Sequence, residues 1–243
     1  MANLSNNEIK RLKSLSQKKF RDESGLFIVE GEKMVREVES SGFEIEALYR
    51  REEIGEETMR RISLLDSPSP VLAVVKQKKS QAMEIKASGL YLALDGVRDP
   101  GNMGTIMRIC DWFGIDGIFA SKDSVEQYNP KVIQSSMGSI FRKCVIYTDL
   151  LKLCGQFKAM GLPVYGTFLD GENLYAYNAV KPKGLIVMGN EAHGVSPEVG
   201  AMCDRHLLIP SFAQGAHAES LNVAIATAVV VSEFKRISIY EKD

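Results

Sequence analysis

Three loops rich in glycine and asparagine carry the residues whose types and spacing could do chemistry. The first covers residues 95–108 and contains Asn102, Gly104 and Arg108. Arg108 follows Gly104 by four residues, so the two positions share one face of a helix, about one turn apart. An arginine there could contact a phosphate or a ribose near the helix N-terminus, although a capping loop beside a surface arginine would give the same pattern.

The second loop covers residues 188–197 and follows a fully apolar run. Gly189 and Gly194 permit unusual backbone angles or the close approach of a ligand. Glu191 places a carboxylate at the end of a strand, where a ligand would lie. His193 could act as a base, but a histidine in a loop is more often simply solvated, and we favour that interpretation.

The third loop begins at Ile209 and Pro210 and ends where an apolar helix is predicted to start. We expect Ser220 to be the N-cap of that helix. Asn222 would then lie in the first turn, where asparagine is unfavourable because its side chain competes for backbone hydrogen bonds. Simple capping could explain this pair, but two polar residues opening an otherwise buried helix also indicate a functional site.

Alternating strands and helices are predicted to position these loops. From residue 89 onward, short apolar runs alternate with helical patterns. The predicted strands are residues 90–94, 117–120, 143–147, 163–169, 184–188 and 205–209. The predicted helices are residues 104–113, 130–137, 149–160, 197–202 and 220–236. This alternation indicates an α/β fold with a mostly parallel sheet, in which ligands bind at the carboxyl ends of the strands.

The region before residue 89 is predicted to fold as a separate, smaller α/β unit. Apolar runs predict strands at residues 25–30, 45–49 and 71–75, and an amphipathic pattern predicts a helix at residues 32–41. The polar stretch 76–88 is the candidate linker between this unit and the longer one.

Composition excludes several classes of protein. The 243 residues are 45% hydrophobic and 25% charged, which is typical of soluble globular proteins and unlike disordered chains, collagens or disulfide scaffolds. The four cysteines form no C-x-x-C pair and no metal-ligand spacing, so we expect reduced thiols in a cytoplasmic protein without a metal. Neither a secretory signal nor an apolar run of about 18 residues is present, so we expect no membrane span.

The net charge of −1 hides a basic segment at the start of the sequence. Residues 1–21 hold six basic residues and one acidic residue, whereas residues 22–60 hold five basic and twelve acidic residues. A short basic segment in front of a soluble domain can attract phosphates. Taken alone, a solvated helix face is the simpler interpretation of this segment.

Together, the three loops resemble the motifs of the SpoU (TrmH-like) family of S-adenosylmethionine-dependent RNA ribose 2′-O-methyltransferases, within the SPOUT superfamily. The segments that carry the resemblance are Asn102-x-Gly104-x-x-x-Arg108, Gly189-Asn190-Glu191-x-x-Gly194, and Ile209-Pro210 followed by Ser220-Leu221-Asn222. Ser136-Met-Gly138-Ser139 is similar to the Ser-x-Gly-Ala segment of the family. The resemblance covers residues 89–236, and residues 27–35 resemble the small substrate-binding domain that precedes the catalytic domain in many members.

The resemblance implies a C-terminal α/β domain that forms a deep trefoil knot, preceded by a small α/β (L30e-like) domain that binds the RNA substrate. We therefore expect a small domain at residues 1–80, a linker at residues 81–88 and a methyltransferase domain at residues 89–243. The knot would hold S-adenosylmethionine, and two copies would form a homodimer. The residues implied to bind the cofactor are Thr167, Leu169, Gly189, Asn190, Glu191, Gly194, Ile209, Ser220, Leu221 and Ala224.

The resemblance also implies the chemistry, which is methyl transfer from a sulfonium to a ribose 2′-hydroxyl. The donor is already reactive, so the protein must align the two groups and help to remove one proton. The family gives this proton role to the arginine of its first motif, here Arg108. An arginine is a poor base in water because its pKa is about 12 or higher. We therefore expect Asn102, Glu191, Ser220 and Asn222, with an RNA phosphate, to position Arg108.

We favour ribosomal RNA over transfer RNA as the substrate, because the small domain resembles those of members that act on ribosomal RNA. The alternatives are a transfer RNA methyltransferase, a non-catalytic RNA-binding relative and a knotted methyltransferase that acts on a base nitrogen. A Rossmann oxidoreductase is disfavoured because the sequence has no G-x-G-x-x-G fingerprint. The residues expected to grip RNA phosphates are Lys10, Arg11, Lys13, Lys18, Lys19 and Arg21.

Overall fold

The computed structural model describes residues 4–78, 83–176, 181–216 and 218–240. Residues 81 and 82 of the predicted linker lie outside the described residues. The chain divides into two compact units, of which the first joins Met1–Lys79 with Glu126–Arg142 and the second joins Ser80–Val125 with Lys143–Asp243. The boundaries at residues 80 and 89 stay a prediction, but the packing groups Glu126–Arg142 with the first unit.

The first unit contains a three-stranded antiparallel sheet in the order β1-β3-β2. Its strands are β1 (Leu26–Glu30), β2 (Ile45–Arg50) and β3 (Val71–Lys76). The helices up to residue 79 are α1 (Asn6–Ser14), α2 (Lys18–Ser24), α3 (Glu32–Glu39), α4 (Arg51–Ile54) and α5 (Glu56–Ile62). Leu12, Met59 and Leu72 are fully buried in one apolar cluster that joins helices to the sheet.

From residue 90 onward, strands and helices alternate as predicted. The strands are β4 (Leu90–Leu94), β5 (Gly117–Ala120), β6 (Val145–Tyr147), β7 (Val164–Asn173), β8 (Gly184–Met188) and β9 (Arg205–Leu208). The helices are α6 (Pro100–Trp112), α7 (Pro130–Ser136), α8 (Leu150–Ala159), α9 (Pro197–Gly200) and α10 (Val223–Tyr240). The six strands form one sheet in the order β6-β5-β4-β8-β7-β9 with parallel neighbours. This confirms the predicted fold class.

The sheet of the second unit is apolar on both faces at its centre. Every residue of β4 and of β8 is buried, as is usual for parallel strands covered by helices on both sides. Local caps set where the loops end and the helices begin. The side chains of Asp99 and Asp149 accept hydrogen bonds from backbone N–H groups in the first turns of α6 and α8. Pro100 opens α6, so this helix begins four residues before the predicted start at residue 104.

Strand β7 is longer than predicted and carries a bulge. Thr167 and Glu172 both lie opposite Leu207 of β9, so residues 168–171 leave the ladder before the strand resumes. β7 therefore reaches Asn173 rather than ending at residue 169. The bulge lies at the same edge of the sheet as the ends of β4 and β8.

The segment Glu126–Arg142 packs into the core of the first unit. The ring centroid of Tyr128 lies 4.7 Å from that of Phe27, and the rings of Phe43 and Phe141 are 5.4 Å apart at an interplanar angle of 74°. Such edge-on and tilted contacts are favourable geometries for aromatic pairs. Four aromatic side chains therefore join this segment, which includes α7, to the N-terminal sheet.

Three further features concern membrane-crossing helices, metal-binding groups and the cysteines. Among the described residues, no helix combines the length and the apolar character that a membrane crossing needs. In the same part of the chain, no three or more His, Cys, Asp or Glu side chains are grouped so as to hold a metal ion. The four cysteines are free thiols.

Candidate active site

The first and second loops meet at the carboxyl ends of two neighbouring strands. β4 pairs with β8 so that Leu94 lies opposite Met188. The backbone N–H of Asp95 donates to the Met188 carbonyl at 2.9 Å. Beyond this pair, the side-chain amide of Asn190 donates to the Gly96 carbonyl at 2.6 Å. The two loops are therefore tied together directly after their strands, at the edge where α/β proteins bind ligands.

A carboxylate that we did not predict adds a second tie between these loops. Asp95 accepts hydrogen bonds from both the backbone N–H and the hydroxyl of Ser196, each at 2.7 Å. Ser196 precedes α9, yet its hydroxyl donates to Asp95 instead of capping the helix. The available signal was an aspartate directly after a buried strand, the same signal that drew attention to Glu191.

The second loop contains a tight turn between Gly189 and Gly194. Asn190 and Gly194 exchange two backbone hydrogen bonds of 2.8 and 2.9 Å. A Cβ atom on Gly189 would lie 2.1 Å from both the Gly194 carbonyl carbon and the Val195 nitrogen, so only glycine fits at this position. Gly194 has a φ of +70°, which also favours glycine. The turn leaves the side chains of Glu191, Ala192 and His193 exposed.

Glu191 connects the second loop to the start of α6. Its carboxylate accepts hydrogen bonds from the backbone N–H groups of Arg98 and Asp99, at 3.4 and 3.2 Å, and from the side-chain amide of Asn102 at 3.0 Å. Partial burial raises the pKa of Glu191, but these hydrogen bonds outweigh burial and hold the pKa below its usual value of 4.5. Glu191 is therefore an ionised acceptor near neutral pH.

Asn102 passes the connection on to the third loop. Its side-chain oxygen accepts a hydrogen bond from the amide of Asn222 at 2.9 Å. The side-chain oxygen of Asn222 in turn accepts from the backbone N–H groups of Ala224 and Ile225, at 2.9 and 3.3 Å, and so caps α10. The prediction that Ser220 is the N-cap is wrong, because α10 starts at Val223 and Asn222 fills that position.

One hydrogen-bonded chain thus joins the three loops, and we call Glu191, Asn102 and Asn222 the polar relay. Asn102 donates to one neighbour and accepts from the other, so the hydrogen bonds fix the orientation of its amide. The relay brings together three of the five residues that the family resemblance assigns to catalysis.

The other two assigned residues, Arg108 and Ser220, are not joined to the polar relay. Arg108 lies on the exposed side of α6, away from Met107 and Cys110, which are buried. Ser220 is also exposed, three residues before α10 begins. Within the described part of the chain, neither side chain makes a hydrogen bond or an ion pair.

The remaining residues implied to hold the cofactor lie at the same edge of the second unit. Thr167 donates its hydroxyl hydrogen bond to a carbonyl of β8 at 3.2 Å. Leu169 and Leu221 are 72% and 51% exposed, which leaves apolar surface around the loops. Ile209 is half-buried and Ala224 is buried at the start of α10. This edge therefore combines hydrogen-bonding groups with exposed and half-buried apolar side chains.

The segment that is similar to Ser-x-Gly-Ala lies in the first unit. Ser136 is fully buried, and its hydroxyl donates to the Ile133 carbonyl at 2.8 Å. Met137 ends α7 with a φ of +49°, an unusual value for a residue other than glycine. These observations account for the segment as the end of a helix.

The six basic residues expected to grip RNA differ in exposure. Arg21 is only 2% exposed, donates to the Leu15 and Ser16 carbonyls at 2.7 and 2.8 Å, and forms an ion pair with Glu126. It is therefore a structural residue of the first unit, and we remove it from the RNA-gripping set. The five exposed residues are Lys10, Arg11, Lys13, Lys18 and Lys19. Ion pairs join Arg11 to Glu8 and Glu46, Lys18 to Asp22, and Lys19 to Glu23.

Comparison with known proteins places the chain among RNA methyltransferases. Residues 89–232 match the SpoU rRNA Methylase family, and residues 6–82 match the MRM3-like substrate binding domain. The 23S rRNA (guanosine(2553)-2′-O)-methyltransferase RlmP of Bacillus subtilis is 30% identical over 93% of this chain and 95% of its own length. The AdoMet-bound rRNA methyltransferase from Sinorhizobium meliloti superimposes with a TM-score of 0.86 at 29% identity, over 98% of this chain and 97% of that one.

The 23S rRNA (guanosine-2′-O-)-methyltransferase RlmB of Neisseria meningitidis is 29% identical over 63% of this chain and 61% of its own length. The family match covers all three loops and the polar relay, and the second match covers the strands of the first unit. The chain belongs to the SpoU rRNA methylase family.

Proposed function

We propose that this protein transfers a methyl group from S-adenosylmethionine to the 2′-hydroxyl of a ribose in ribosomal RNA. The observation that carries the proposal is the polar relay, which joins the three family motifs at one edge of the parallel sheet. The relatives in Bacillus and Neisseria are both named as 23S rRNA 2′-O-methyltransferases, which supports this reaction and this RNA.

The residues at this edge fit S-adenosylmethionine. The turn from Gly189 to Gly194 offers backbone groups to a polar ligand, and Leu169 and Leu221 offer exposed apolar surface to an adenine ring. Thr167, Ile209 and Ala224 would complete the set. When bound, the cofactor supplies an electrophilic methyl group on a positively charged sulfur. We therefore assign these loops to cofactor binding.

We assign proton handling at the ribose to Arg108. The 2′-hydroxyl oxygen must lose its proton as it bonds to the methyl carbon, and a positioned side chain can assist this step. Arg108 has no partner within the described residues, so its guanidinium is available to an RNA phosphate and to the ribose hydroxyl. Ser220 is exposed and lies two residues before Asn222 of the polar relay. It would contact the same substrate or cofactor groups.

The polar relay has a positioning role in this proposal. Glu191 accepts two hydrogen bonds from the loop before α6 and one from Asn102 in its first turn, and so fixes the segment that leads to Arg108. Asn222 couples the same network to the start of α10, beside Leu221. Loss of one member should therefore disturb both the cofactor loops and the helix that carries Arg108.

The exposed basic residues of α1 and α2 are proposed to hold RNA phosphates. Replacing Lys10, Lys13, Lys18 and Lys19 by glutamine should weaken RNA binding and flatten its dependence on salt, because fewer counterions would be released. Neither Lys10 nor Lys13 forms an ion pair within the described residues, but Lys13 interacts electrostatically with the Glu30 carboxylate, so we expect Lys10 to contribute most. Unchanged affinity and salt dependence in the fourfold variant would remove this part of the proposal.

We propose that the protein acts as a homodimer through α6 and α10, which pack against each other. Ile225 and Ile239 are 54% and 67% exposed on one face of α10, and Trp112 of α6 is 86% exposed. Exposed apolar surface on neighbouring helices can bury itself in an interface between two copies. Wild-type protein should show twice the chain mass in light scattering, and Ile225→Glu should show the single mass. Leu151→Glu, at an exposed position on α8, is the control, and a monomeric wild type would contradict the proposal.

We also propose a cytoplasmic location. The four free cysteines suit a reducing compartment, and an RNA substrate is present there. Fractionation of cells with an antibody to the chain should recover it in the cytoplasmic fraction, whereas recovery with membranes would contradict this assignment.

The test of the proposed reaction is methyl transfer from labelled S-adenosylmethionine to bulk RNA, with ribosomal and transfer RNA in separate arms. We expect label in ribosomal RNA that survives alkaline hydrolysis in dinucleotides, because a 2′-O-methyl group blocks cleavage. Label that alkaline hydrolysis releases in mononucleotides would indicate a base nitrogen as the acceptor. Label in transfer RNA alone would identify transfer RNA as the substrate instead of ribosomal RNA. No label with either RNA would favour a non-catalytic RNA-binding relative.

A further inference from the structure

Two aromatic side chains that are not among the motif residues stand exposed at the edge that carries the candidate active site. Phe212, four residues after the end of β9, is 82% exposed, and Tyr175, two residues after β7, is 45% exposed. Their ring centroids are 6.4 Å apart, and the ring planes differ by 27°. They form a loosely stacked pair, which we call the aromatic pair.

Hydrogen bonds at the end of β7 fix the position of Tyr175. Leu174 is fully buried, and its N–H donates to the Leu208 carbonyl at 2.9 Å, which extends the pairing of β7 with β9. The side chain of Asn173 then accepts from the Tyr175 N–H at 2.9 Å and turns the chain. Tyr175 is therefore presented by a defined turn at the strand end, beside the loop that carries Phe212.

The aromatic pair leaves most of its apolar surface in water. A separation of 6.4 Å lies near the outer limit of about 7 Å for favourable aromatic pairs, so Tyr175 covers little of the Phe212 ring. A phenyl ring has no polar group that would favour exposure. A third flat group stacked on the exposed face of Phe212 would remove this surface from water.

The charges around the aromatic pair favour a base over a phosphate as its partner. Glu172 forms an ion pair with Arg205, and Asp170 lies in the β7 bulge, so these three side chains together carry no excess of positive charge. Aromatic side chains bind single-stranded nucleic acids by stacking on bases, which needs no cationic partner. A phosphate or an acidic peptide would make fewer favourable interactions here than a neutral ring.

The location suits a nucleotide close to the methylation target. β9 is separated from β8 by β7 alone, so the ends of β8 and β9 are about 10 Å apart at the usual strand spacing. The Glu191 loop follows β8, and Phe212 follows β9. A nucleotide adjacent in sequence to one held at the polar relay can span this distance.

We propose that Phe212, supported by Tyr175, is a stacking platform for a nucleobase of the RNA substrate that flanks the target nucleotide. The proposal rests on the proposed RNA methylation, and it names a substrate contact made by residues that are not among the motif residues. Stacking on every base is possible, so the platform would add affinity and register rather than recognise one base.

Steady-state methylation kinetics test the platform. The RNA should be ribosomal RNA from a strain that lacks this gene. Phe212→Ala should raise the KM for RNA about tenfold, which corresponds to the loss of about 1.4 kcal/mol from one base stack. The kcat and the Kd for S-adenosylmethionine should stay unchanged. Phe212→Leu should lose the same affinity, whereas Tyr175→Phe should retain it, since only the ring is required. Met160→Ala, at a 47% exposed position after α8, is the matched control.

A binding measurement separates this proposal from the proposed reaction. The sequence has one tryptophan, Trp112, so Phe212→Trp adds a second reporter against a known background. Its fluorescence should be quenched by the same ribosomal RNA more than that of the parent chain. If the wild type binds the RNA without methylating it, the reaction fails while quenching still supports the platform. Unchanged KM and absent quenching would overturn the platform, and a raised Kd for S-adenosylmethionine alone would assign the aromatic pair to the cofactor.

Discussion

The tight turn of the second loop makes a sharp prediction about two glycines. In Gly189→Ala the new Cβ would lie 2.1 Å from two backbone atoms, the Gly194 carbonyl carbon and the Val195 nitrogen. Ordinary contacts of this kind are longer by more than 1 Å, so the turn must open. Opening breaks the two hydrogen bonds of 2.8 and 2.9 Å between Asn190 and Gly194.

The magnitude follows from these contacts. Each lost backbone hydrogen bond contributes about 1 kcal/mol, and forcing a methyl group against a backbone that cannot move costs a further 1–3 kcal/mol or so. We expect Gly189→Ala to lower the free energy of unfolding by about 3–5 kcal/mol, or to open the turn locally. Gly194→Ala is the matched variant, because nothing lies within 4 Å of its new methyl group. Its φ of +70° predicts a cost of only about 1–2 kcal/mol.

Denaturant unfolding and calorimetric titration with S-adenosylmethionine would measure both variants. Gly189→Ala should be the less stable of the two and should bind the cofactor at least tenfold more weakly, since the turn supplies backbone groups to it. Equal stability of the two variants would refute the close approach at Gly189. Equal cofactor affinity would refute the assignment of this turn to cofactor binding.

Three further predictions concern single side chains. Glu191→Gln should lower the free energy of unfolding by about 1 kcal/mol at pH 7, because the ionised acceptor of three hydrogen bonds is lost. Since the folded state lowers the pKa of Glu191, its stabilisation is full above pH 4.5 and disappears as the pH falls through the lowered pKa, so the melting difference should vanish in acid. Arg108→Ala should keep S-adenosylmethionine binding but lose methylation, with Arg108→Lys as the comparison; full turnover by Arg108→Ala would remove Arg108 from the mechanism. Arg21→Ala should destabilise the protein by about 3 kcal/mol through loss of a buried ion pair with Glu126, whereas Lys10→Ala should change RNA binding alone.

The sequence identifies the strands, the loops and most of the polar relay. Apolar runs bounded by glycine, proline and capping residues predict β4, β5 and β8 with their observed bounds. Asn102 and Glu191 follow such runs, and parallel strands end at one edge, so their proximity can be anticipated from the pattern. Local sequence patterns therefore predict the parallel sheet that positions the site.

Features set by contacts distant in sequence were not predictable. Asn222 replaces Ser220 as the helix cap because it also reaches Asn102, which lies 120 residues away. Arg21 looks like the other basic residues near it, yet it is buried because Glu126 and two backbone carbonyls surround its guanidinium. The bulge of β7 depends on its pairing with β9, which no local pattern records.

The central claim, ribose 2′-O-methylation of ribosomal RNA, is tested most directly by mapping 2′-O-methyl groups in cells. Ribosomal RNA would be compared between a strain that lacks the gene and strains complemented with the wild type or with Arg108→Ala. We predict that one ribose 2′-O-methyl group is lost on deletion, returns with the wild type and does not return with Arg108→Ala. An unchanged 2′-O-methyl map, or loss of a base methyl group instead, would contradict the account.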